Sequence, residues 1–492
     1  MFLDRLKACF VDFRRRDAFC INDRKVSYVE LGNLIREIVL TIQEHEILIT
    51  NNRIAIFCRD DIETYASIMA CWFTGNAFIP LYSDNPIERN LEILNDSKVD
   101  FILGSRSSLN EIYSSHDIVD NTAFKFDNEI STEFELTPTD RDSVAYILFT
   151  SGSTGKPKGV PLTFENLDSF LVAFDETPVK IRKEDRCLQM FELTFDVSIS
   201  SFVPALLAGA CVYTIPRGPV KYVKVLQAIN KFELSVIQIV PSVIRLGKPL
   251  LSRVNFDSVR ICVCTGEATE VDLLGFLKDN LKQARIYNFY GPTESAIYCS
   301  FYDCNKELVE SYNGLLAIGI PFNRSDLKII ADNLEEADDM EKGELHIKSP
   351  QLTPGYIDAT LDFDRFTMIQ GSRYYKTGDI CFKDERGVIY FCGRLDNQVQ
   401  IQGFRVELNE IEFKIKAALG IDCIVLQVQN KFGLKELALF TNQVQLREET
   451  IRSSLKDSLP TYMMPTKFHF VEKFPLTSSG KADRFALKSL LL

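Results

Sequence analysis

Between about residue 53 and residue 290, short β-branched runs alternate with amphipathic stretches, and this alternation narrows the possible folds more than any other feature. RIAIF (53–57), AFIPL (77–81), VDFIL (99–103), VAYILFT (144–150), CVYTI (211–215), SVIQIV (235–240), RICVC (260–264) and RIYNF (285–289) read as strands. Segments 60–73, 86–97, 164–174, 221–231 and 270–282 read as helices between them. Such an order predicts an α/β fold of mostly parallel sheets with helices on both faces. Ligands then belong at the carboxyl ends of the strands, where the chain order reverses. After residue 315 the pattern turns to short strands and turns (LKII, GELHIKS, RGVIYFCGR). Helical periodicity returns at 408–417 and 447–457, with CIVLQVQ and ELALF as strands between. A break at Leu395–Asp396 predicts a large N-terminal domain, 1–395, and a small α+β domain, 396–492. That division suits a chain of 492 residues, too long for one ordinary domain.

Charge and cysteine content remove several classes of function. Lys and Arg total 56 against 68 Asp and Glu, a net charge of −12 with no basic block, which argues against nucleic acid as a partner. The excess is uneven: residues 397–492 hold 13 basic and 10 acidic residues, or +3, leaving −15 for the rest. The thirteen cysteines form no CxxC pair, and His45, His116, His346 and His469 lie far apart, so no structural zinc site is expected. Reduced thiols in a cytoplasmic protein are the economical reading. No run of about 18 apolar residues exists to cross a membrane. Asp4 and Arg5 interrupt any secretory leader.

The first chemical signal follows the strand VAYILF: Thr150, Ser151, Gly152, Ser153, Thr154, Gly155, Lys156, Pro157, Lys158 and Gly159. Glycines let backbone N–H groups face an anion, hydroxyls add donors and lysines add charge, so the composition is that of a polyphosphate cradle. The spacing fails the GxxxxGK[ST] pattern, because only Ser153 and Thr154 separate Gly152 from Gly155, and Pro157 follows Lys156. A P-loop kinase or GTPase is therefore disfavoured.

TSGSTGKPKG (150–159) resembles the phosphate-loop signature of the adenylate-forming superfamily, which includes acyl-CoA synthetases, luciferases and amino-acid adenylation domains. NFYGPTES (288–295), YKTGDI (375–380), GRLDNQVQIQGFRVE (393–407) and PLTSSGKADR (475–484) resemble its later motifs in the same order. The resemblance spans nearly the whole chain. It implies a distorted β-barrel-like part beside the parallel sheets and a mobile C-terminal domain, with the active site between the two domains and Asp396 as the hinge. It also implies ATP and Mg²⁺ as cofactors, the loop at 150–159 holding the β- and γ-phosphates. Glu294 corresponds to the metal ligand, with Thr293 on phosphate, while Asn288, Tyr290 and Gly291 belong to the adenine-binding segment. Gly266, Glu267 and Ala268 form the turn on the other side of adenine. Asp379, assisted by Arg394, corresponds to the ribose acceptor, a task that two carboxylate oxygens suit. Lys481 corresponds to the catalytic lysine that bridges substrate carboxylate and α-phosphate.

The same resemblance speaks to the substrate. Asp196 in LTFDVS stands where amino-acid adenylation domains pair an aspartate with the substrate ammonium; an acid interacting only with a helix dipole is the alternative. The implied pocket is Val197, Ser200, Gln238, Val263, Thr265, Phe289, Ile297 and Tyr298. It offers no second charge, and Phe289 and Tyr298 leave room for a small amino acid, with three hydroxyls that keep serine possible. The chain is also similar to stand-alone D-alanine–carrier protein ligases around FTMIQGSRYYKTGD and FCGRLD, although Thr265 replaces their cysteine. Gln400 and Gln402 replace the basic residues usual in the hinge motif, whereas Arg405 is kept. The expected activity is ATP-dependent formation of an aminoacyl-AMP, followed by loading of a separate phosphopantetheine carrier protein. An acyl-CoA ligase using free CoA and a non-catalytic nucleotide-binding relic are the alternatives.

Overall fold

The computed structural model describes residues 1–44, 51–105, 113, 116–121, 136–152, 156–218, 220–430, 433–443, 446–475 and 482–491. They form two compact units. The first comprises Met1–Tyr82, Ser97–Leu148 and Gly159–Leu395; the second comprises Ser83–Asp96, Phe149–Lys158 and Asp396–Leu492.

Two sheets dominate the first unit, and both follow the expected alternation. The larger has nine strands in the order Ile320–Pro321, Ser300–Asp303, Arg285–Tyr290, Ile261–Cys264, Val236–Ile239, Arg186–Gln189, Cys211–Thr214, Asp17–Ile21 and Arg24–Ser27. Its interior pairs are parallel, and the antiparallel pairs lie towards its two edges. In the second sheet Arg53–Phe57 pairs in parallel with Ala77–Leu81 and with Phe101–Leu103. Interior strands are apolar on both faces, as Ile261–Cys264 shows with all four residues buried. The helix Ile62–Phe73 starts where Asp61 accepts the Thr64 N–H, and Phe164–Glu176 starts at a reciprocal capping box between Thr163 and Asn166. Trp72 is fully buried between the layers and donates its indole N–H to the Ala145 carbonyl at 3.0 Å.

The expected elements are present with small shifts: the strand expected at 99–103 is Phe101–Leu103, and the helix expected at 270–282 is Val271–Asn280. Helices Phe2–Asp12, Tyr28–Glu44 and Val197–Leu207 add to that reading. The turn-rich part after residue 315 is a five-stranded antiparallel half-barrel sheet centred on Ser372–Lys383.

The second unit has its own core. Helices Leu408–Leu419 and Glu448–Leu455 bury Ile411, Ile415, Ile451 and Leu455 against Val425 and Leu439 of a three-stranded sheet. The hairpin joining Gln398–Ile401 to Phe404–Glu407 turns through Gln402 (φ 53°) and Gly403 (φ 86°), two consecutive left-handed residues that match the twist of a tight hairpin. All thirteen cysteines are free thiols, eleven of them buried. Among the described residues no helix is long and apolar enough to cross a membrane.

Candidate active site

The carboxyl ends of the nine-stranded sheet gather most of the expected pocket. Gln238 and Val263 are register partners on neighbouring strands, and Phe289 ends the next strand but one residue. Ser200 comes from the helix Val197–Leu207. Ser200, Gln238, Val263, Thr265, Phe289, Ile297 and Tyr298 are all buried, and Val197 is half-buried. Their polar atoms satisfy one another: Gln238 Oε1 accepts from the Ser200 and Tyr298 hydroxyls, both at 3.0 Å, and Gln238 Nε2 donates to the Ser200 carbonyl at 2.9 Å. Phe289 meets Tyr298 edge-on at 5.1 Å and packs against Phe174, Phe301 and Phe322. The floor is therefore closed, with its hydroxyls already committed.

Asp196 sits at the N-cap of that helix, but its side chain makes no capping bond. It is 5% exposed, and Oδ2 has no hydrogen-bond partner among the described residues. Burial raises its carboxyl from the ordinary 3.8 to about 6. The Glu294 charge adds to the rise, and donors at Val197, Ile297 and Thr293 oppose it. A buried carboxylate with no counter-cation among the described residues suits a cationic ligand group better than it suits the fold.

Glu294, 1% exposed, lies in the single turn Thr293–Ser295, directly after Gly291 and Pro292. A Cβ on Gly291 would stand 2.4 Å from the Ile297 carbonyl oxygen, so only glycine allows the loop to fold back there. Ala296 (φ 44°) and Ile297 (φ 78°) then pass through left-handed backbone, costly for a β-branched residue. The sequence did not single out what holds this loop. The Tyr356 hydroxyl donates to Glu294 Oε1 at 2.7 Å, and Gln351 Nε2 reaches the carbonyls of Ser295, Ala296 and Tyr298 within 3.2 Å.

Elsewhere in the first unit, Asp379 accepts from Arg394 and from the Tyr290 hydroxyl. Arg394 also donates to the Thr377 carbonyl at 3.1 Å. The amide of Asn288 is engaged by Thr269 and the Ala317 carbonyl, at 2.9 and 3.0 Å. Gly266 turns with φ 77°, and the Glu267 carboxylate accepts the Ser242 N–H at 3.0 Å, which fixes the turn to the preceding helix, Pro241–Gly247.

Apart from Gly159, the described part of the phosphate loop belongs to the second unit, and Ser153, Thr154, Gly155 and Lys481 lie outside the described residues. A Cβ on Gly152 would lie 1.9 Å from the Lys156 carbonyl oxygen, so the tight turn requires glycine. The Gly152 N–H donates to Glu410 Oε2 at 3.1 Å, and Glu410 Oε1 pairs with Arg89 at 2.9 Å, both side chains buried. Ser151 Oγ donates to the Arg405 carbonyl and accepts the Glu407 N–H, each at 3.0 Å. Thr150 and Lys158 flank the loop at strand ends, Lys158 buried and Lys156 exposed. Asp396 accepts the Gln398 N–H at 3.2 Å.

Residues 9–357 match the AMP-binding enzyme family. The chain belongs to that family. It is 28% identical over 485 residues to the D-alanine–D-alanyl carrier protein ligase of Bacillus licheniformis, covering 96% of this chain and 95% of that protein. It is 30% identical to Gramicidin S synthase 1 of Brevibacillus brevis, over 88% of this chain but only 39% of that protein. The fold superposes on the Vibrio cholerae adenylation domain AlmE, solved with glycyl-adenosine-5'-phosphate, with a TM-score of 0.86 at 24% identity, covering 100% and 97% of the two chains. The protein is thus an adenylate-forming ligase, and enzymes of this kind use ATP.

Magnesium fits the donors present. Glu294 is a hard carboxylate beside the Thr293 hydroxyl, and the described residues contain no group of three or more His, Cys, Asp or Glu side chains that could hold a metal ion. That donor set suits an ion that takes one carboxylate and draws its remaining ligands from water and substrate phosphates.

Proposed function

We propose that this enzyme activates a small amino acid as its aminoacyl-AMP and transfers it to the phosphopantetheine thiol of a separate carrier protein. The observation that carries this reading is Asp196 Oδ2, buried and without a hydrogen-bond partner among the described residues, beside pocket side chains that carry no charge of their own. An α-ammonium supplies the missing cation, and a substrate without an amine leaves the charge unpaired. The closed Ser200–Gln238–Tyr298 floor and the aromatic wall at Phe289 support a side chain no larger than that of alanine or serine. Two relatives agree in kind, one named for D-alanine and a carrier protein and one solved with a glycyl adenylate.

In the first half-reaction a substrate carboxylate oxygen attacks the α-phosphorus of ATP; the bond to pyrophosphate breaks, and pyrophosphate leaves. In the second, the thiol attacks the acyl carbon, forming a thioester, and AMP leaves. Asp196 orients the amine, Tyr290 and the turn at Gly266 sandwich adenine, and Asp379 with Arg394 holds ribose. Lys481 and the loop at 150–159 screen the phosphate charge. Glu294 would hold a magnesium ion, which would offset negative charge on the phosphates. Residues 1–395 serve as the adenylation core, and 396–492 as a domain that swings about Asp396 between the half-reactions. The thirteen free thiols favour a reducing cytoplasmic setting.

Pyrophosphate exchange across the twenty amino acids, D-alanine and a set of fatty acids tests the reading. Exchange with glycine, alanine or serine, and none with fatty acids or des-amino analogues, is expected. Preference for phenylalanine, lysine or a fatty acid would refute it, and efficient thioester formation on free CoA would replace the carrier protein as acceptor.

A further inference from the structure

The segment Ser349–Ile357 (SPQLTPGYI) carries no charge and forms no regular strand or helix, yet it is bonded along its whole length. On one side Asn166 Nδ2 donates to the Pro350 and Leu352 carbonyls, both at 2.9 Å, Thr353 Oγ1 donates to the Pro161 carbonyl, and the Ile357 N–H donates to Gly159 at 3.0 Å. On the other side it grips the Glu294 turn three times: the Thr353 N–H on the Glu294 carbonyl at 2.9 Å, Gln351 on three further carbonyls, and the Tyr356 hydroxyl on the carboxylate itself. The segment is a strap between the strand Lys158–Thr163 and the turn that bears Glu294.

Tyr356 is well placed to hold a neighbour still. It is 5% exposed, its N–H donates to Asp362 Oδ1 at 2.9 Å, and its ring lies 6.2 Å from that of Phe366. Gly355 (φ 152°) makes that anchor possible, because a Cβ there would lie 2.3 Å from Asp362 Oδ2. A carboxylate rotates in a broad torsional well unless a donor fixes its plane. The hydroxyl is such a donor, and it grips the one carboxylate read above as the magnesium ligand.

We propose that Tyr356 is a positioning residue for the metal: its hydroxyl fixes the plane of the Glu294 carboxylate and thereby sets the affinity for the divalent cation that accompanies ATP. The inference rests on the adenylation reading for the role of Glu294. A buried tyrosine always needs some partner for its hydroxyl. A partner chosen only to satisfy that need would leave metal affinity unchanged when the hydroxyl is removed.

The test is Tyr356→Phe in the full chain, which keeps the packed ring. Mn²⁺ affinity is read by electron paramagnetic resonance in the presence of a non-hydrolysable ATP analogue, with the amino-acid KM and the melting temperature measured alongside. Mn²⁺ binding should weaken about tenfold or more, the scale for losing an outer partner of a metal ligand. The amino-acid KM should stay within about twofold, and melting should shift by only a few degrees. In a double-mutant cycle, adding Tyr356→Phe to Glu294→Gln should weaken Mn²⁺ binding less than about twofold further. Wild-type Mn²⁺ affinity in Tyr356→Phe, or an equal loss on the Glu294→Gln background, overturns the inference alone. A wild-type protein that binds the analogue but no Mn²⁺ overturns it together with the metal role of Glu294. A destabilised Tyr356→Phe is judged by Gln351→Ala, which loosens the same turn from its far end and should also weaken Mn²⁺; unchanged affinity there overturns the inference.

Discussion

Asp196 and Asp379 are both buried carboxylates of the first unit, and the fold treats them in opposite ways. Asp379 is given a guanidinium and a phenol, from Arg394 and Tyr290, before any ligand arrives. Asp196 keeps one oxygen without a partner among the described residues and is pushed up to about 6 by burial. A partnered carboxylate is structurally secure, and a ligand must compete with its existing bonds. A carboxylate with one buried oxygen left without a partner weakens the fold, and that cost is offset only when a cation enters. The two sites therefore differ in where their free energy is held, and substitution should separate them by the sign of its effect on stability.

The largest effect is expected at Asp196. Asp196→Asn leaves a bound ammonium without its partner, a loss of about 3–5 kcal/mol, so adenylation of the preferred amino acid should fall several hundredfold or more. The same change should raise the melting temperature, because it removes a buried charge whose shift corresponds to about 3 kcal/mol. Pyrophosphate exchange and calorimetry on one preparation check both signs, and a lower melting point would show that Asp196 is a structural acid. At Asp379 the signs should agree. Asp379→Asn weakens charge-assisted bonds of about 1.5–3 kcal/mol, so the KM for ATP should rise about ten- to a hundredfold and the melting temperature should fall.

A smaller effect separates the two by pH. Asp196 must be ionised to pair with an ammonium, so the amino-acid KM should rise about tenfold for each pH unit below about 6. Its folded pKa lies above the ordinary 3.8, so its contribution to stability is complete below that value and is lost as pH rises through about 6. A KM profile that is flat between pH 5 and 7 would sink the assignment.

What the sequence revealed and what it concealed follow from the range of each signal. Periods of two and 3.6 are local, so strands such as Val144–Thr150 and helices such as Lys221–Phe232 were legible within a residue or two. Asp196 was legible as a candidate through its place in the LTFDVS motif, but an acid at a helix start is also an ordinary cap, and whether it capped that helix depended on backbone geometry. Tyr356 gave no local signal, since its partner lies 62 residues away in sequence. Arg89 and Glu410 are separated by 321 residues, and nothing near either one announces the other. The anchor of the strap depends on the φ of Gly355 and the position of Asp362, neither of which a local pattern carries.

The bond between the Gly152 amide and Glu410 has a consequence for how tightly any anion can be held there. The amide is already occupied by an internal carboxylate whose other oxygen is clamped by Arg89. An incoming anion does not fill a vacancy; it takes part in an exchange, and its apparent affinity is the difference between two bonds of the same kind. Such a difference is small, so occupancy stays reversible even where each bond alone is strong. It is also reciprocal: whatever steadies the bond between Glu410 and the amide loosens the visitor, and a visitor that wins the amide leaves Glu410 Oε2 to find another partner while Oε1 stays with Arg89.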